Sequence, residues 1–171
     1  ISESVEHLNR LLEDFLSIGK LEEGRTNLSL SDFHIGDFIT ELVEEMNLHL
    51  RPGQSISVQV DGQIMITSDK RVLKNALLNL LSNAVKFSKE GQAIYLISAD
   101  SLTGKTFQVK DNGIGIPTAD LPHIFSTFFR ASNVTEIQGT GLGLSLVKRY
   151  TDLLGGTVKL ETEFGKGTSI T

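Results

Sequence analysis

The 171 residues carry 16 Lys and Arg against 21 Asp and Glu, a formal net charge of −5, with 39% hydrophobic and 22% charged residues. Such a balance suits a folded chain with one good core and opposes sequence-independent binding to nucleic acid, which draws its affinity from basic residues. With no cysteine, disulfides and thiolate metal sites are excluded. His7, His34, His49 and His123 are too scattered to suggest zinc. No apolar run approaches the roughly 18 residues of a membrane span, and no membrane contact is expected of these residues. The chain opens on Ile1-Ser2-Glu3 without an initiator methionine and is read as a fragment of a longer protein, whose own topology stays open.

Ile1, Val5, Leu8, Leu12 and Phe15 recur at steps of four and three, which predicts an amphipathic helix with a coiled-coil or bundle seam. It packs either across a subunit interface or on its own domain, and Gly24 marks its end. A strand over residues 28–34 and a helix over 35–50 are expected next, with Ile39, Leu42, Val43 and Met46 on one face. After the Pro52-Gly53 turn, Ser55–Val60 alternates as a half-buried strand, and Gln63–Thr67 reads as its hairpin partner across Asp61-Gly62. Ser68 or Asp69 is the expected cap of a helix running to Lys86 or Phe87. Strands over 93–99 and 106–110 follow, joined near Gly104. A helical turn near Leu121–Phe125 then precedes a stretch from Ser126 to Thr140 with little periodicity, expected to be a mobile loop. A last helix spans 142–154, closed by Gly155-Gly156, and Thr157 begins a final hairpin. The pattern predicts an α/β two-layer sandwich: a mixed, mostly antiparallel sheet with about three helices on one face, beside an N-terminal bundle helix.

Three motifs carry chemistry. Asn79, Asn83 and Lys86 share one helix face at i, i+4 and i+7. Carboxamide oxygens suit Mg²⁺, which takes its other ligands from water and phosphates, and Lys86 offers a cation; a merely solvated face is the alternative. Asp111-Asn112-Gly113-Ile114-Gly115-Ile116-Pro117 ends a strand with an acceptor for an exocyclic amine and apolar walls, or else is an ordinary turn. Gly139-Thr140-Gly141-Leu142-Gly143-Leu144 runs into a helix, where free amides and the positive dipole end favour phosphate. It matches neither a dinucleotide fingerprint nor a Walker loop.

Together these motifs make the chain resemble the catalytic ATP-binding domain of sensor histidine kinases, in the superfamily of gyrase B, MutL and Hsp90. Residues 77–88 resemble the N box, 111–117 the first glycine box, 124–130 the F box and 139–148 the second glycine box. Residues 1–24 resemble the end of helix 2 of the dimerisation and phosphoacceptor domain, and 28–171 the catalytic domain. The resemblance implies that Asn83 binds Mg²⁺ and that Asn79 and Lys86 contact the phosphates of ATP. It implies that Asp111 recognises adenine N6 while Gly113, Gly115 and Ile116 shape the base pocket. Arg130 would lie near the phosphates, the backbone of Gly139, Thr140, Gly141, Leu142, Gly143 and Leu144 would cradle them, and 126–139 would be the ATP lid. The F box departs from the commoner pattern at Ser126, Thr127 and Phe129, which bears on lid docking. His7, followed by Leu8-Asn9-Arg10, does not match a phosphoacceptor box, so the acceptor histidine is expected upstream.

The implied activity is transfer of the ATP γ-phosphoryl to that histidine and then to a response-regulator aspartate, in the cytoplasm, by a homodimeric parent that is an inner-membrane sensor in one version of this reading. Lys86 and Arg130 would support the transition state. A water-activating ATPase is discounted because Asn79 stands where a basic glutamate would be needed. An inactive nucleotide-binding scaffold is disfavoured by the intact Asn, Asp and Gly positions.

Overall fold

A computed structural model of the chain describes residues 27–137 and 139–171 together with Leu12, Leu16 and Gly19. The expected seam helix, its end at Gly24 and His7 lie outside the described residues, except that Leu12 is exposed in helical backbone.

Among the described residues the elements are β1 (Ser31–His34), α1 (Ile35–Asn47), β2 (Ser55–Val60), β3 (Met65–Ser68), α2 (Lys70–Phe87), β4 (Ala93–Ser101), β5 (Gly104–Asp111), α3 (Gly143–Leu153), β6 (Leu160–Glu163) and β7 (Gly167–Ile170). Single 3-10 stretches lie at Thr118–His123 and Ser132–Val134. One sheet has the order β2-β4-β5-β7-β6, parallel between β2 and β4 and antiparallel elsewhere. This is the expected mixed, mostly antiparallel α/β sandwich.

Strand parity decides which face the helices cover. Ile94 and Leu96 on β4 and Val109 on β5 are buried, while Tyr95 between the first two is exposed. Phe38, Ile39 and Leu42 of α1, Leu73, Leu77 and Leu81 of α2, and Val147 of α3 join those strand residues in one cluster. Burial stabilises each large side chain by roughly 1.5–3 kcal/mol, so this contact fixes the rotation of α2 about its axis. The polar stripe of α2 is thereby turned away from the core.

The expected hairpin between Ser55–Val60 and Gln63–Thr67 does not form. β2 pairs with β4, and β3 pairs antiparallel with β1, matching Ser31 to Ser68 and His34 to Met65. The reason lies in the turn between β2 and β3. Asp100 accepts the Gln63 N–H at 2.8 Å, and the Lys105 ammonium donates to the carbonyls of Asp61 and Gln63 at 2.8 and 2.9 Å. These bonds bend the chain off the sheet edge and deliver β3 to β1 instead.

Both ends of α2 are secured by buried polar groups. Of the two expected caps it is Asp69 that serves, accepting the Val72 N–H at 3.0 Å and the Ser29 N–H at 2.8 Å. At the other end the Gln54 amide donates to the carbonyls of Val85, Ser88 and Lys89 at 3.1, 3.4 and 3.2 Å. The Arg51 guanidinium adds a bond to the Ser88 carbonyl at 3.0 Å. Helix ends leave carbonyls without partners, and Gln54 satisfies three groups there with one side chain.

The aperiodic stretch expected as a loop has a small core of its own. Ala131 and Val134 of that stretch, with Ile124 from the expected helical turn before it, are buried against Phe87, Ile114 and Phe129. Their spacing follows no helical or strand period because the backbone between them does not repeat.

Candidate functional site

α2, the residues after β5, β7, the start of α3 and the segment between them enclose a cleft of about 250 Å³. Small-ligand sites begin near ~300 Å³, so the space approaches that class.

Asn79 and Asn83 stand one turn apart in its wall. The Asn79 amide nitrogen donates to the Asn75 carbonyl at 2.9 Å, which commits its donor side to the helix. A β-carbon built on Gly143 would lie 3.4 Å from Asn79 Oδ1, and 3.5 and 3.6 Å from Asn83 Nδ2 and Oδ1. The first residue of α3 therefore abuts both carboxamides. Lys86 lies farther along the same wall, its ammonium 4.8 Å from the centre of the Phe87 ring and against Gly139.

The start of α3 has no side-chain cap, whereas His34 caps α1 and Asp69 caps α2. Gly139, Thr140, Gly141, Gly143 and Leu144 line the cleft. Leu142 does not: its side chain is buried with Val72, Ala76, Leu146 and Tyr150, and its N–H donates to Thr140 Oγ1 at 3.1 Å. An uncapped helix start facing a cleft presents backbone donors and the positive dipole end to an anion.

Asp111 closes the far end, held there by the pairing of β5 with β7 that sets it opposite Thr168. Its Oδ1 accepts the N–H groups of Gly113 at 2.8 Å and Thr168 at 3.3 Å, and Oδ2 accepts no bond among the described residues. Burial pushes the carboxyl above its ordinary value, opposed by those two hydrogen bonds. Gly113 is not in the cleft wall; a β-carbon there would collide with the Phe87 carbonyl. Gly115, at φ 65° and packed against the Glu163 carbonyl, lines the cleft together with Ile116.

Arg130 also lines the cleft, but its guanidinium braces the overlying segment, donating to the carbonyls of Val134, at 2.6 Å, and Ile137. Phe87, Asn133, Val134 and Thr168 are among the further lining residues that had not been singled out as site residues. Only sheet pairing reveals Thr168. Asn133 carries no sequence signal, because its amide reaches the Gly115 carbonyl, 18 residues away in sequence, at 2.9 Å.

Residues 68–171 match the family model described as histidine kinase-, DNA gyrase B-, and HSP90-like ATPase. This chain belongs to that family. It is 33% identical to hybrid signal transduction histidine kinase B of Dictyostelium discoideum over 95% of this chain and 9% of that protein. Against the circadian input-output histidine kinase CikA of Synechococcus elongatus it is 32% identical, over 100% of this chain and 24% of the relative. The chain thus spans less than a quarter of these relatives. Among solved structures, full-length ShkA in complex with AMPPNP superposes with a TM-score of 0.85 at 31% identity, covering 98% of this chain and 35% of the other. The catalytic domain of histidine kinase ThkA gives 0.72 at 27% identity, over 83% and 92%. The resemblance to a histidine kinase catalytic ATP-binding domain therefore holds in both sequence and fold. No helix among the described residues is long and apolar enough to cross a membrane.

Proposed function

We propose that this chain binds ATP with Mg²⁺ and donates the γ-phosphoryl to a histidine of its own phosphoacceptor domain, for onward transfer to a response-regulator aspartate. The observation that carries the reading is the meeting of Gly143 with the carboxamides of both Asn79 and Asn83. It brings phosphate-binding backbone to oxygen ligands of the type Mg²⁺ accepts.

The residues present fit the ion. The Asn83 side chain makes no hydrogen bond among the described residues, and Asn79 keeps its donor on Asn75 and its oxygen toward Gly143. Among the described residues no cluster of three or more His, Asp or Glu could hold a metal. That suits an ion bound mainly through phosphates and amide oxygen, with Asn83 as protein ligand and Asn79 beside it. When bound, it would neutralise charge on the phosphates.

Asp111 takes a hydrogen from the adenine amine on Oδ2 while Gly115, Ile114 and Ile116 wall the base. Gly113 holds the carboxylate in place through its N–H. Lys86 and backbone donors between Gly139 and Leu144 meet the phosphates, with Leu142 withdrawn from contact because its N–H is held by Thr140 and its side chain is buried. Arg130 reaches them by releasing its lid carbonyls. In the transfer, an imidazole nitrogen bonds to phosphorus as the bond to the β-phosphate oxygen breaks and ADP leaves. The protein contributes alignment and charge stabilisation. On this reading the chain works in the cytoplasm, within a homodimeric parent.

Isothermal titration with ATP, with and without Mg²⁺, tests the assignment. Asn83→Ala is expected to lower Mg²⁺-dependent affinity by about tenfold or more, equivalent to ~1.4 kcal/mol. Wild-type protein that binds no ATP, or a variant that binds MgATP like wild type, would overturn it. Phosphotransfer from labelled ATP in the intact parent tests the kinase step.

A further inference from the structure

We infer that Asn133 reads the nucleoside in this cleft, its Oδ1 accepting a hydrogen from a donor group of the bound purine nucleotide. The inference rests on the nucleotide reading above and adds a specificity-determining residue to it.

The side chain is split between two fates. Its nitrogen donates to the Gly115 carbonyl at 2.9 Å, which orients the amide and ties the segment over the cleft to the loop after β5. Its oxygen is enclosed and has no hydrogen-bond partner. Buried polar atoms almost always have partners, so an orphan acceptor on a residue of the cleft wall marks where a ligand donor belongs once the segment covering it shifts. The other two enclosed orphan oxygens, on Ser88 and Ser98, are not in this wall.

The backbone before Asn133 is held in place: Ser132 donates from both its N–H and hydroxyl to Asp120 at 2.8 Å. On its other side Arg130 binds the Val134 carbonyl at 2.6 Å until it turns to the phosphates, which frees that side of the segment to shift and open Oδ1 to the cleft. Adenosine offers two kinds of donor, the exocyclic amine and the ribose hydroxyls. Asp111 already serves as one acceptor for the amine, so Oδ1 takes either its second hydrogen or a ribose hydroxyl. Both are N–H or O–H donors of one nucleoside.

The test compares ATP with 2′-deoxy-ATP, 3′-deoxy-ATP and N6-methyl-ATP by titration calorimetry on the full chain, for wild type, Asn133→Ala and Asn133→Asp. Wild type is expected to prefer ATP over the analogue lacking the accepted hydrogen by about 3- to 10-fold, the worth of one neutral hydrogen bond. Asn133→Ala loses that preference, while Asn133→Asp, which keeps an acceptor oxygen and loses the donor to Gly115, retains it at lower overall affinity. The analogue that loses its penalty identifies the donor. Unchanged preferences in Asn133→Ala would overturn the inference, even with uniformly weaker binding, because a residue that only latches the lid affects all nucleotides equally. Equal wild-type affinity for all four nucleotides would also overturn it and leave ATP binding intact. Failure of wild type to bind ATP would instead remove the underlying reading.

Discussion

Gly139 and Lys86 touch: a β-carbon on the glycine would fall where the lysine ammonium lies. Gly139→Ala would push aside the flexible end of a side chain and not the backbone, so stability should change by no more than about 0.5 kcal/mol. The displaced charge should still weaken MgATP binding several-fold. Gly113→Ala should behave oppositely, because its β-carbon meets the Phe87 carbonyl and lies 2.8 Å from Asp111 Oδ1. It is expected to cost about 2 kcal/mol or more. Urea unfolding and nucleotide titration of both variants separate the two behaviours.

The raised pKa of Asp111, caused by burial and opposed by the Gly113 and Thr168 N–H groups, has two consequences. Its folded value exceeds its unfolded one, so the ionised group subtracts stability from the empty protein at neutral pH. That penalty vanishes as pH falls below the unfolded value. Nucleotide binding has the opposite need, because the amine seeks the ionised acceptor. Affinity for ATP should therefore fall as pH drops through a value above the ordinary aspartate one. Asp111→Asn should bind more weakly at neutral pH and show little of that dependence. Calorimetry between about pH 7.5 and about pH 3.5, a range that includes the reference carboxylate values, checks this.

Asp69 shifts the other way. Burial, the largest influence, raises its pKa, but the Ser29 and Val72 N–H bonds and the Arg71 charge together outweigh it, leaving the value lowered. Its stabilisation is then complete above the unfolded pKa of about 3.9 and is lost as pH falls through the lower folded value. Asp69→Ala should cost about 0.5–2 kcal/mol near neutrality, as helix N-caps do. The gap between variant and wild type in urea denaturation should narrow in acid.

Gln54→Ala leaves carbonyls of Val85, Ser88 and Lys89 without the amide that binds them. The expected loss is about 1–3 kcal/mol, the cost of uncovering buried acceptors. Gln54→Leu should be no better, because filling the volume restores no donor. The urea midpoint reads both variants. Weaker ATP binding should accompany the loss, since this end of α2 carries Lys86.

Local periodicity made much of the fold legible. The apolar spacing of α1 and α2 marked their buried faces, and Asp69 was readable, with Ser68, as a candidate cap because capping is a contact between neighbours in sequence. The pairing of β3 was not readable. An Asp-Gly turn between two alternating runs favours a hairpin locally, and the bonds that redirect it come from Asp100 and Lys105, some forty residues on. Gln54 was equally silent, as one glutamine before a strand gives no hint of the helix end it covers.

By itself the amino-acid order determined which residues could share a helix face, where backbone could turn without steric penalty, and which side chains offered amide oxygen, carboxylate or cation. Asn79, Asn83, Lys86, Asp111 and the glycines from Gly139 to Gly143 were legible for that reason. Tertiary structure decided that Gly143 meets the two asparagines, that Thr168 steadies Asp111, that Leu142 faces the core and that Asn133 reaches Gly115. Those relations depend on the burial of α2 and α3 against one face of the sheet and on the pairing of β5 with β7, which join segments that no short-range pattern connects.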